Sequence, residues 1–99
     1  MRYYIIDKTI GKNPIFFNQL NETINHLEGT CKRLTGTSRN DYMLNRVDLG
    51  HPADEATGRN FVEAMSENIE MGVVKNNGFV RCNICDVDHY SRYTNEMGQ

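Results

Sequence analysis

The chain has 99 residues, 38% of them hydrophobic, with a formal charge of −2 and an isoelectric point near 5.9. That length fits one domain burying somewhat under ~70% of its unfolded surface, which excludes a core plus a large substrate cleft. No run of about 18 apolar residues exists to span a membrane, and the net charge argues against a polyanionic partner.

Met1-Arg2-Tyr3-Tyr4-Ile5-Ile6-Asp7 is too short and too soon acidic for a signal peptide, so the expected location is cytoplasmic. Three cysteines, an odd number, then read as thiols. Charge is segregated along the chain. Residues 1–12 carry Arg2, Lys8 and Lys12 against Asp7, whereas residues 52–72 carry Asp54, Glu55, Glu63, Glu67 and Glu70 against Arg59.

Residues 2–7 read as a strand, aromatic and β-branched, with Tyr3 and Tyr4 on opposite faces. Lys8 to Lys12 is a turn. Asn13-Pro14 reads as a helix start, and Phe17, Leu20, Ile24, Leu27, Cys31 and Leu34 recur at alternating spacings of three and four, which predicts a helix over about 13–35 capped by Gly36. Within residues 37–51, either a short helix over about 39–48, with Ser38 and Asp41 as an imperfect capping box and Gly50 as its stop, or a strand over Tyr42 to Leu49 fits; the helix is preferred.

His51-Pro52 opens a further predicted helix over 52–71, with Gly58, Phe61, Val62, Met65 and Ile69 inward and Gly72 as its cap. Residues 73–75 and 79–85 then form a β-hairpin around Asn77-Gly78. Val80, Cys82 and Ile84 alternate with Arg81 and Asn83, so this strand should have one buried and one wet face. The expected fold is α+β: two main helices and a short third on a small antiparallel sheet, in one domain over 1–90. Residues 91–99 read as a polar tail.

Three kinds of chemistry have candidate residues. Cys82-x2-Cys85-x3-His89 has zinc-ligand types, but strand alternation sends Cys82 and Cys85 to opposite faces, so no cofactor or metal is expected. Asp86-x-Asp88-His89 reads as solvated charge beside the tail. Ser38, Ser66 and Ser91 lack the glycines of a nucleophile elbow. The expectation is a non-enzyme.

The order helix, short helix, helix, hairpin over about 13–86 resembles a winged helix-turn-helix layout. That resemblance implies DNA binding with 52–71 in the recognition position, yet this segment is acidic, and a groove-reading helix faces phosphates. A DNA-binding dimer would instead have to use Arg2, Lys8, Lys12, Arg39 and Arg46.

A protein partner with a basic surface fits better. The contact residues expected are Asp54, Glu55, Glu63, Glu67 and Glu70 on an acidic helix face, with Tyr3, Tyr4, Tyr90, Arg92 and Tyr93 as aromatic and basic patches. The N-terminal strand is suited either to pairing across an interface, which leaves room for a homodimer, or to adding to a partner's sheet. The sequence thus reads as a small adaptor or inhibitor. Its asparagine content, 12 of 99, suits a bacteriophage or mobile element acting on a host protein.

Overall fold

A computed structural model describes residues 2–48, 55–76 and 78–84. The elements run β1 (Arg2–Asp7), β2 (Ile15–Phe17), α1 (Leu20–Thr35), α2 (Arg39–Asp48), α3 (Glu55–Asn68), β3 (Ile69–Lys75) and β4 (Gly78–Cys82). The strands form one antiparallel sheet in the order β2-β1-β3-β4, with helices packed against it, an α+β fold.

Strand alternation sorts the sheet into two faces. On one, Ile5 pairs with Ile15 and Met71, and Met71 with Cys82. Ile5 and Met71 meet Leu27 and Cys31 of α1 and Phe61 and Met65 of α3 in the core, while Ile15 stays partly exposed on the edge strand. α2 closes the same side, with Tyr42 stacked on Phe61 at 4.5 Å and the Arg39 side chain donating to the Ile84 carbonyl at 2.8 Å. The opposite face carries no helix among the described residues.

Two element boundaries differ from the sequence reading. The first helix begins at Leu20, because Ile15-Phe16-Phe17 pairs with β1 as a strand. Asn13-Pro14 therefore precedes a strand, and Gln19, in extended conformation, stands at the N-cap. Phe17 fitted the helical stripe because it packs on the same core, but it does so from β2. The third helix stops at Asn68, and Gly72 is not its cap. Ile69 to Val74 instead run as a central strand along the whole of β1, so the sheet starts four residues earlier than the hairpin alone implied.

The rest of the local chemistry follows the sequence. Gly36 ends α1 at φ 79°, its amide donating to the Lys32 carbonyl at 2.9 Å. Residues 39–48 are the helix preferred for that segment, and the Ser38 hydroxyl accepts from the Asp41 amide at 3.1 Å. Glu28 of α1 adds a second cap, accepting from the Asn40 amide at 2.8 Å. Lys75 and Gly78 pair across the hairpin, with Gly78 at φ 122°. The helix start expected at His51-Pro52 and the tail at 91–99 lie outside the described residues.

Candidate functional site

The helix-free face is built by the even-numbered residues of β1, β2 and β3 and by Phe79 and Arg81 of β4. Across its middle row Phe16 pairs with Tyr4, Tyr4 with Gly72 and Gly72 with Arg81. Arg2, Val74 and Phe79 form the row at one end, and Ile6 and Glu70 the row at the other. Gly72 sits hard against β4: a Cβ there would lie 2.0 Å from the Val80 carbonyl oxygen.

Tyr4 is wholly buried although it belongs to this face. Phe79 stacks on it with ring centroids 4.4 Å apart and planes 24° from parallel, and Phe16 and Phe79 form an edge-to-face pair at 5.9 Å. The Arg2 guanidinium lies 4.0 Å from the centre of the Phe16 ring, a cation–π contact. Phe16 remains 39% exposed and Phe79 48%. The result is a patch of two accessible rings fixed from below and from one flank.

The Tyr4 hydroxyl donates to Glu70 at 3.0 Å. Burial first, then that hydrogen bond and the Glu70 charge, push the phenol well above its ordinary value of 10. Arg81 starts on the same face but reaches round the β4 edge, donating to the Ser66 carbonyl at 3.2 Å. At the far end of β1, the loop to β2 carries Lys8 and Lys12, both exposed.

The residues expected from sequence are placed as follows. Glu63 and Glu67 are exposed, one turn apart on α3, whose packing side holds Phe61 and Met65. Glu70 is not with them. It belongs to β3, whose register turns it to the helix-free face, where it holds Tyr4. Glu55 begins α3, and Asp54 lies outside the described residues.

Tyr3 and Tyr4 do point to opposite faces, but both are buried, so neither supplies contact area directly. β1 is paired on both sides and cannot add to a partner's sheet. Tyr90, Arg92 and Tyr93 lie outside the described residues. So do Cys85 and His89, while Cys82 is buried on the core side, as the alternation required. Among the described residues, no three side chains of metal-ligating type gather.

Of the cations assigned to a DNA-binding surface, Arg39 is buried and engaged with Ile84, which removes it from that set. The side chain of Arg46 is outside the described part. Phe16 and Phe79 were not singled out by the sequence. Phe16 falls within the helix expected over 13–35, and Phe79 opens the strand expected over 79–85.

A shallow cleft of about 360 Å³ lies between the end of α3 and β4, lined by Ser66, Ile69, Arg81, Cys82, Asn83 and Ile84. Among the described residues, no helix is long and apolar enough to cross a membrane. No family model, no curated protein and no solved structure matches the chain.

Proposed function

We propose that the protein is a small non-enzymatic binding module, acting by stoichiometric contact as an adaptor or an inhibitor, and that it docks through the helix-free face of its sheet. The observation that supports this is the exposed pair Phe16 and Phe79. A buried phenylalanine stabilises a fold by roughly 1.5–3 kcal/mol, a gain both rings partly forgo. They are nevertheless held in place, Phe79 by the stack on Tyr4 and Phe16 by Arg2, so a ligand would order little on binding. Aromatic rings with arginine at the margin are the chemistry of contact hot spots.

A second reading keeps a protein partner with a basic surface on the other side of the molecule. It is favoured by the exposure of Glu63 and Glu67 on one side of α3. A cytoplasmic setting, with a bacteriophage or mobile element acting on a host protein, belongs to either reading as a proposal.

The test is capture by the immobilised full-length protein, comparing wild type, the Phe16→Ser/Phe79→Ser pair and the Glu63→Lys/Glu67→Lys pair. Loss of a captured macromolecule with the phenylalanine pair alone supports the sheet face. Loss with the glutamate pair alone transfers the contact to α3. Capture retained by both variants removes both surfaces.

A further inference from the structure

We infer that the helix-free face binds a short single-stranded segment of nucleic acid, with a base stacked on Phe79; the inference rests on that face being the contact surface. Tyr4 stacks on the Phe79 ring at 4.4 Å, and Phe79 is 48% exposed, so this aromatic stack reaches solvent where a further flat ring can join it. A nucleobase fits this opening because every base has a flat π-face, and stacking on aromatic side chains is the sequence-tolerant part of single-strand recognition. Phe16 forms an edge-to-face pair with Phe79, and the Arg2 guanidinium on Phe16 adds a flat, charged group beside them.

The charges on this face suit a phosphate backbone. Arg2 stands at one end, and Lys8 and Lys12 are exposed in the loop at the other end of β1, while Arg81 turns round the β4 edge to Ser66. Among the described residues of the face, the one acid is Glu70, and it is occupied with Tyr4. Glu63 and Glu67, which make the chain look hostile to polyanions, are carried by α3 behind the sheet. A sheet and its packed layer are spaced about 10 Å apart, comparable to the screening length of about 8–10 Å at ordinary salt.

Size separates this ligand from a folded partner. Four strands about 4.8 Å apart and about five residues long at 3.3 Å each make a face of roughly 300 Å². A stable protein interface buries roughly 800 Å² of accessible surface on each side, so a folded partner or a second copy of this chain would have to reach beyond the sheet face. About two or three nucleotides fit such a face. A duplex does not, because its bases are already stacked on one another.

The experiment is fluorescence anisotropy of labelled oligothymidylate and oligouridylate, each about twelve nucleotides long, against the full chain at low and moderate salt. Wild type should bind either strand more tightly than the matching duplex and lose affinity as salt rises. Phe79→Ala should weaken binding by about tenfold or more, Phe79→Tyr should retain it, and Glu70→Gln should strengthen it. Circular dichroism and melting of each variant report that the fold is intact.

No binding to either strand at low salt, or equal binding by wild type and a folded Phe79→Ala, overturns the inference. If the strands are ignored while the Phe16→Ser/Phe79→Ser pair still abolishes capture of a macromolecule, the face stands and the ligand class falls. If neither assay responds to those rings, both fall.

Discussion

Tyr4 and Phe79, 75 positions apart in the chain and two strands apart in the sheet, stack at 4.4 Å, and the first is wholly buried while the second is half exposed. A face without helices thereby acquires a rigid aromatic floor. Removing the upper ring should expose the lower one. Phe79→Ala is expected to lower stability by only about 1 kcal/mol, the worth of one aromatic pair, while making the tyrosine fluorescence more accessible to a soluble quencher. A collapse of the fold instead would mean that Phe79 serves the core and not the surface.

Gly72 sets how closely β3 and β4 approach. A methyl there would sit 2.0 Å from the Val80 carbonyl oxygen, so the backbone must part. Gly72→Ala should cost about 3 kcal/mol, read from the urea midpoint at unchanged slope. Gly29, in α1 with open space around its Cα, is the contrast: Gly29→Ala should stabilise by up to about 1 kcal/mol.

Tyr4 links stability to alkaline pH. Its folded phenol is raised above 10, chiefly by burial and then by the bond to Glu70. A raised group stabilises the fold fully below its unfolded value and loses that contribution as pH climbs toward the folded one. Wild type should therefore lose stability above about pH 10. Tyr4→Phe should show a shallower alkaline decline, at about 1 kcal/mol lower stability near neutrality. Parallel curves for the two proteins would contradict the assignment.

Asp7 does the reverse in acid. Burial alone would raise its carboxyl, but hydrogen bonds from the Thr9 hydroxyl and amide, with the charge and hydrogen bond of Arg33, hold it below the ordinary 3.8. A depressed carboxyl stabilises the fold above its unfolded value and loses that effect as pH falls through the folded one. Wild type should destabilise below about pH 4. Asp7→Asn should be less stable at neutral pH and flatter in acid, as thermal melts across that range would record.

Sequence legibility followed local chemistry. The Gly36 cap, the Ser38 cap, the inward stripe of α1 and the alternation of β4 were all readable, because each depends on residues a few positions apart. The β2 strand was not, since Ile15-Phe16-Phe17 becomes a strand only by pairing with β1, and Phe17 happens to continue the helical spacing of Leu20, Ile24 and Leu27. Ile69 misled in the same way, matching the stripe of α3 while beginning the buried alternation of Ile69, Met71 and Val73. The candidate site was least legible of all. It arises from Arg2, Tyr4, Phe16 and Phe79 on three strands, joined only by register. The acidic segment drew attention to Glu63, Glu67 and Glu70 as one surface, which the turn into β3 divides.

The most direct test of the contact surface is amide chemical-shift mapping of the isotopically labelled full chain, titrated with unlabelled oligothymidylate. Shifts concentrated at Arg2, Tyr4, Phe16 and Phe79, with Glu63 and Glu67 unmoved, are the expected result. Shifts confined to α3, or none at any residue under low salt, would contradict the account.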